Sequence, residues 1–178
     1  MFENFSKIIF RSIKLDRSLY NDPNNFGETS IYYAGSIMIL DGIAGAIALS
    51  TIYKSNIIFS GLTALFSWMV WATLIYVIGV KLFPENNTNV GFKKILVAVG
   101  FAHSPGLLRF LAITPGFVIP IVFFTQFWIF AALIIAVKEI LNFKNNFKAA
   151  GIVVIAFLII SIVSLSLVMD RLSEIPTN

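Results

Sequence analysis

Cysteine is absent from this chain of 178 residues, and histidine occurs once, at His103. The lack of cysteine excludes disulfides, thiolate metal sites and cysteine nucleophiles, and it leaves the redox compartment undetermined. A single histidine without other strong ligands nearby cannot hold zinc. We therefore expect neither a metal site nor a cofactor.

Charged residues are also scarce, at 12% of the chain, whereas hydrophobic residues make up 58%. A soluble domain has about 25% charged and about 45–50% apolar residues. The composition therefore indicates an integral membrane protein whose first partner is the lipid bilayer. We expect no nucleic-acid partner.

The short motifs of common enzymes are missing as well. The sequence has no Gly-x-Ser-x-Gly, no His-Glu-x-x-His and no glycine loop that would cradle a phosphate. His103 and Ser104 do not form a catalytic dyad, because adjacent side chains on a helix point about 100° apart. We expect that the protein is not an enzyme.

What the sequence does contain is five apolar segments, each long enough to cross about 30 Å of hydrocarbon. They lie at about 31–53, 57–82, 95–113, 116–138 and 150–169. The pattern predicts an all-α, polytopic membrane protein with five transmembrane helices in one domain, residues 31–169. A short tail, 170–178, follows.

Residues 1–30 are predicted to form an amphipathic helix, up to about Tyr20, and a loop. The residues of its apolar face are Phe2, Phe5, Ile9 and Ile13, and the cations of the opposite face are Lys7, Arg11 and Lys14. We expect the helix to lie in the membrane surface with these three cations at the lipid headgroups. The alternative is a cap that packs against the helix bundle. No cleavable signal peptide is predicted, because no short apolar core precedes the first segment.

The distribution of lysine and arginine predicts the orientation. Ten of these cations lie on the side of the N-terminus, against Lys54, Arg109 and Arg171 on the other side. The positive-inside rule then places the N-terminus in the cytoplasm and the C-terminus outside the cell membrane. A re-entrant third segment would change the counts to nine against four, so charge alone barely separates the two topologies. We favour five spans, because lipid does not tolerate exposed irregular backbone.

Four polar side chains fall inside the predicted spans: Asp41, His103, Arg109 and Gln126. Such residues normally face the bundle interior or a wet cavity and find a partner. Asp41 and His103 lie at similar depths, about 15 Å and about 12 Å along their helices. We therefore predict an intramembrane polar cluster of Asp41, His103 and Arg109, in which Asp41 bonds to His103 or to Arg109. The cluster acts either as a proton or ion relay or, as we favour, as a set of polar contacts that hold the helices together, which we call polar glue.

The stretch Gly100–Arg109, GFAHSPGLLR, predicts a kink in the third helix. Pro105 removes a backbone donor and frees the carbonyl of Phe101, and Gly100 and Gly106 make the bend easier. In the first span, Gly42 and its small neighbours predict close packing against another helix.

Three phrases resemble the bacterial branch of the Yip-one (Ypt-interacting protein) domain family. They are WMVWATLIYVIGVKLFPE at 68–85, GFAHSPGLLR at 100–109 and FWIFAALIIAVKEIL at 127–141. The resemblance covers about Leu15 to Met169 and implies a five-helix bundle with a cytoplasmic N-terminus. In eukaryotic relatives it implies roles in vesicle traffic and small-GTPase binding. The Asp-Leu-Tyr-Gly-Pro element of those relatives is missing here, so a small-GTPase partner is not supported.

The expected function is that of a non-enzymatic membrane protein in the inner cell membrane. It would act by membrane association, by self-assembly or by binding another membrane protein. The alternative is a small transporter or an ion or proton pathway that uses Asp41, His103 and Arg109. A pathway needs a polar route that reaches both sides of the membrane, whereas glue needs only a closed cluster.

Overall fold

The computed structural model describes residues 2–50, 56–85, 88–113 and 116–173, without the side chains of residues 2, 113 and 167–173. Several residues used in the sequence predictions lie outside this description: Lys54, residues 51–53 of the first span, the side chain of Arg171 and residues 174–178 of the tail.

Seven α-helices follow one another along the described chain, and these residues contain no strand. The helices are α1 (Phe2–Ile13), α2 (Ser18–Asn21), α3 (Ser30–Leu49), α4 (Ile57–Tyr76), α5 (Phe92–Ala102), α6 (Val118–Ile140) and α7 (Asn146–Ser173). A π-helical segment, Val77–Leu82, continues α4, and a 3₁₀ segment, Ser104–Ile113, follows α5. The protein is all-α, as the sequence predicts.

Five helical stretches are long and apolar enough to cross a membrane, which makes the chain a multi-pass membrane protein. They are Ser30–Leu49, Ile57–Leu82, Phe92–Ala112, Val118–Ile140 and Asn146–Ser166. We call Phe92–Ala112 the third span. We call the bundle end with α2 and the start of α3 the N-terminal end, and the opposite end the distal end.

The ends of two helices differ from the predicted ones, for local reasons. α1 stops at Ile13 instead of running to about residue 20, because Leu15 has a left-handed backbone with φ of 57° and the Asp16 amide closes back on the Arg11 carbonyl. α7 begins four residues earlier than predicted, because the Asn145 side chain accepts a hydrogen bond from the Phe147 amide and so caps it. The same helix continues to Ser173, so the first residues of the predicted tail are helical.

The third span lies at the centre of the bundle. Of an 18-residue apolar segment of the third span, 67% is buried inside the bundle, against 22–39% for the corresponding segments of the other four spans. It packs between α3 and α6, and α3 packs in turn against α4. At that crossing a Cβ on Gly42 would lie 2.7 Å from both the Ala64 Cβ and the Ser60 carbonyl oxygen, which confirms the predicted close packing at Gly42.

α1 packs with one face against this bundle. Ile8 is buried, and the Phe5 ring lies 5.7 Å from the Tyr33 ring. The Trp128 indole N–H of α6 donates to the Ile13 carbonyl at 2.9 Å. The helix therefore has the position of the cap, the alternative that the sequence left open. Lys7 and Lys14 remain exposed on its other face.

Candidate functional site

Asp41 lies in the middle of α3 and is buried, with 6% of its surface exposed. The Arg109 Nη1 of the third span donates to its Oδ1 at 2.8 Å. Of the two predicted partners of Asp41, the structure therefore selects Arg109. A charge-assisted bond between a carboxylate and a guanidinium is the strong kind, and here it joins two helices.

The Arg109 guanidinium also reaches α6. Its Nε donates to the Thr125 hydroxyl at 3.2 Å, and its Nη2 donates to the Gln126 side-chain oxygen at 2.9 Å. One side chain thus connects α3, the third span and α6. The sequence analysis missed Thr125, which is 1% exposed; the only signal was a hydroxyl next to Gln126 in an otherwise apolar span.

His103 bonds within its own helix instead of to Asp41. Its Nδ1 lies 2.8 Å from the Val99 carbonyl oxygen. Because a carbonyl can only accept, Nδ1 carries the proton, and Nε2 of the neutral ring is an acceptor. The predicted cluster therefore contains an ion pair of Asp41 and Arg109 with a neighbouring histidine.

The two glycines of the third span allow close approach. A Cβ on Gly106 would overlap the Asp41 carboxyl group, and a Cβ on Gly100 would lie 2.6 Å from the Ala34 Cβ. Their role is thus mainly to let α3 and its aspartate lie against the third span. The predicted role of easing a bend is secondary.

The break in the third span comes from Pro105, as predicted, and it takes the form of a change of helix type. The α-helix ends at Ala102, and the 3₁₀ segment starts at Ser104. The Phe101 carbonyl lacks the usual helical donor four residues on, because position 105 is proline, and it accepts hydrogen bonds from the Ser104 and Ser12 hydroxyls, at 2.7 and 2.6 Å. Ser12 belongs to α1, so the proline creates the acceptor that holds the N-terminal helix.

The polar side chains line a cavity of about 360 Å³, which we call the polar cleft. Its lining residues are Met38, Asp41, Gly42, Gly45, Ser60, Thr63, Ala64, Ser67, Trp71, His103, Arg109, Gln126 and Ile129. They come from α3, α4, the third span and α6. The sequence analysis missed the hydroxyls of α4 because each occurs singly among apolar residues.

The polar cleft opens at the side of the bundle, between α4 and α6. Three of its lining residues are exposed: Thr63, Ser67 and Gln126. By the helical rise, Ser67 lies about 15 Å along α4 from its first residue, and Gln126 lies about 12 Å along α6. Thr63 lies about 9 Å along α4, so the mouth spans about 9–15 Å from the distal ends of these two helices.

Toward the N-terminal end, the polar lining stops. The Trp71 ring meets the Phe130 ring edge-on at 6.2 Å, and Phe130 in turn meets Phe157 of α7. Beyond them lies an apolar core whose residues include Ile75, Ile95 and Val137. The space there is about 10 Å³, which is at the lower limit for a single water.

The cations of α1 lie apart from the cleft. Arg11 donates to the Asp16 carboxylate and to the Ser18 hydroxyl, both at 2.8 Å, and Lys7 pairs with Glu3. Hydrogen bonds from Ser18 and from Arg11 hold the pKa of Asp16 below its usual range. Contact of Lys7, Arg11 and Lys14 with lipid headgroups stays a prediction.

Comparisons of the chain with protein-family models, with curated proteins and with solved structures found no match.

Proposed function

We propose that this chain is a non-enzymatic membrane protein that acts by association inside the membrane, through the polar cleft. One observation carries the proposal: polar side chains that line the cleft, on α4 and α6, are exposed beside large exposed apolar side chains. Thr63, Ser67 and Gln126 are exposed, and so are their neighbours Phe66 and Phe127, with 71% and 60% of their surface.

The Thr63 hydroxyl donates to carbonyls of its own helix, whereas the Ser67 hydroxyl and the Gln126 amide hydrogens have no partner among the described residues. A polar group that faces hydrocarbon without a partner is unfavourable, since lipid chains offer no hydrogen bonds. Transmembrane segments satisfy such groups by contact with another helix, a headgroup or trapped water. The exposed edge of the cleft is therefore a surface on which a molecule of the membrane gains hydrogen bonds. Self-assembly and binding of another membrane protein both use this principle.

The alternative function is a transporter or an ion or proton pathway. It is favoured by the fact that Asp41, His103 and Arg109 all line one cavity. Against it, the polar lining is followed toward the N-terminal end by the apolar core around Val99 and Val137. A pathway would need a further opening through that core, so the geometry supports association better.

We also propose that the chain lies in the inner cell membrane with its N-terminal end in the cytoplasm, on the support of the positive charges at that end. Membership of the Yip-one domain family, bacterial branch, is proposed on the support of the three sequence phrases alone.

The absence of cysteine allows a direct experiment. A single cysteine at position 67, made by Ser67→Cys, would carry a benzophenone photocrosslinker at the mouth of the cleft. Thr73→Cys is the matched control, because Thr73 is exposed on the same helix and does not line the cleft. Crosslinking in native membranes, followed by mass spectrometry of the adducts, identifies what lies there.

We expect discrete adducts at position 67, with a lipid, a second copy or another membrane protein, and only diffuse labelling at position 73. Vesicles that contain the protein should show the same proton and ion leak as empty vesicles. Equal labelling at both positions would contradict association through the cleft, and a leak abolished by Asp41→Asn would establish the pathway instead.

A further inference from the structure

We infer that the polar cleft binds the uncharged, hydroxyl-bearing end of a membrane lipid of the diacylglycerol class. This inference rests on the proposed function, in which the cleft is the surface of association, and it names the occupant. The observations that carry it are the hydrogen-bonding groups of the lining, their net charge, the position of the mouth and the volume.

The lining offers donors and acceptors side by side. Among the described residues only Arg109 donates to the Asp41 carboxylate, so lone pairs of Asp41 remain available, as does the Nε2 lone pair of His103. The Gln126 oxygen accepts from Arg109, which leaves its amide hydrogens free to donate. A hydroxyl group both donates and accepts, so it is the ligand group that matches this mixture.

The charges of the lining cancel. Asp41 and Arg109 form an ion pair, and among the residues that the structure describes no other charged side chain lines the cleft. A ligand with a net charge would bring an uncompensated ion into a site at membrane depth, which is unfavourable. The bound end of the ligand is therefore uncharged, which excludes an anionic headgroup. A zwitterionic phosphate headgroup has no net charge but would still bring two ions that must be desolvated, so it fits the site less well than a hydroxyl.

The mouth faces the region of the lipid chains. The exposed polar residues of the mouth are surrounded by exposed apolar side chains, which are Phe66 and Met69 on α4 and Phe123 and Phe127 on α6. α7 is buried only as far as Ala156, and none of its side chains from 157 to 166 is buried, so its distal half does not close the gap. A ligand that enters here comes from the bilayer and keeps its chains outside.

The volume limits how much of the lipid enters. About 360 Å³ holds on the order of a dozen waters at about 30 Å³ each. A glycerol unit with its ester groups fits such a space, whereas two acyl chains do not. The acyl chains would lie against the aromatic side chains of α4 and α6.

The test is native mass spectrometry of the purified full chain, titrated with dioleoylglycerol in detergent micelles. Dioleoylphosphatidylglycerol tests the requirement for neutrality, and free glycerol tests the requirement for chains. The variant Thr63→Val/Ser67→Ala removes two hydroxyls of the mouth and leaves the ion pair intact. Thr73→Val is the control. The Thr73 hydroxyl, like that of Thr63, donates to a carbonyl of its own helix, and Thr73 is exposed on α4 without lining the cleft.

We expect saturable binding of dioleoylglycerol, weakened about tenfold in the double variant and unchanged in Thr73→Val, since each hydrogen bond contributes a few-fold. Equal binding of the anionic lipid would overturn the neutral headgroup, and equal binding of glycerol would overturn the lipid as the source. Absence of dioleoylglycerol binding, or equal binding by all variants, would overturn the inference as a whole. If crosslinks at position 67 persist in that case, the proposed association stands and only its lipid occupant is wrong.

Discussion

At the scale of single residues, the contact between Gly106 and Asp41 is the tightest constraint on the polar cleft. A Cβ at position 106 would overlap the Asp41 carboxyl group, so any side chain there must displace Asp41 or the third span. Glycine at this position is thus a requirement of packing between α3 and the third span.

Gly106→Ala should therefore destabilise the protein by about 2 kcal/mol, in the range of overpacked cores. Gly151→Ala is the control: a Cβ there meets nothing within 4 Å, and alanine is the better helix former by about 1 kcal/mol. The measurement is the free energy of unfolding in micelles. Equal effects of the two variants would contradict the assigned contact.

The ion pair itself can be separated from its neighbour His103 by double-mutant cycles. Arg109→Ala leaves Asp41 buried without a partner. Arg109→Ala and Asp41→Ala should therefore each lower the free energy of unfolding by about 2–3 kcal/mol, and the double variant should lower it by little more. Asp41→Ala and His103→Ala should be additive within about 0.5 kcal/mol, because His103 bonds to Val99. Strong coupling between Asp41 and His103 would instead support a relay.

At the scale of helices, Ser12 is the point that fastens α1 to the bundle. Its hydroxyl is fully buried and donates to the Phe101 carbonyl, whose usual helical donor at position 105 is missing because that residue is proline. The Tyr20 hydroxyl lies 3.4 Å from the Ser12 Oγ, so Ser12 also links α1 to α2.

Ser12→Ala should loosen α1, at a cost of about 1–2 kcal/mol, because the Phe101 carbonyl and the Tyr20 hydroxyl lose a buried partner. Hydrogen exchange of the α1 amides, which should become faster, is the measurement. Ser6→Ala is the control on the same helix, since Ser6 is exposed and, among the described residues, bonds only to the Glu3 carbonyl. Unchanged exchange in Ser12→Ala would contradict the fastening role.

The Asp16 carboxylate, in the turn after α1, makes the stability of the protein depend on pH. Because the pKa of Asp16 is lowered in the folded protein by Ser18 and Arg11, its contribution to stability is present above the ordinary aspartate pKa of about 3.9. This contribution is lost as the pH falls through the lowered pKa of Asp16 in the folded protein. The residue is partly exposed, so the effect should be below about 1 kcal/mol.

Asp16→Asn should remove this contribution at neutral pH. The free energy of unfolding, measured as a function of pH, should then fall less steeply below about pH 4 than in the wild type. Asp22→Asn is the control for a general effect of charge, because within the described residues the Asp22 carboxylate accepts only from the Asn24 backbone amide. Wild-type acid sensitivity in Asp16→Asn would sink the assignment.

At the scale of the whole molecule, the orientation is open to a labelling experiment. Glu28→Cys places a thiol at the N-terminal end, and Ser50→Cys places one at the distal end; both positions are exposed. In intact cells an impermeant thiol reagent should label position 50 and spare position 28. The reverse pattern would contradict the orientation proposed from the charges, and labelling at both would point to a mixed topology.

The sequence by itself determined the fold class and the number of described helices that are long and apolar enough to cross a membrane. Apolar runs of membrane length can satisfy their backbone in lipid only as helices, so composition and run length are sufficient for five helical segments. The sequence also placed Asp41, His103 and Arg109 in the interior, because lipid-facing charges are costly, and it identified Pro105 as the break in the third span.

Only the tertiary structure decided how these residues meet. It chose Arg109 over His103 as the partner of Asp41, brought Thr125 to the same guanidinium and gave Ser12 to the freed Phe101 carbonyl. Sequence periodicity states which face of a helix a residue occupies and not which neighbouring helix that face meets. Helix crossings depend on small residues such as Gly42 and Gly106, whose effect is a close approach in space, so the polar cleft between α4 and α6 exists only once the bundle has packed.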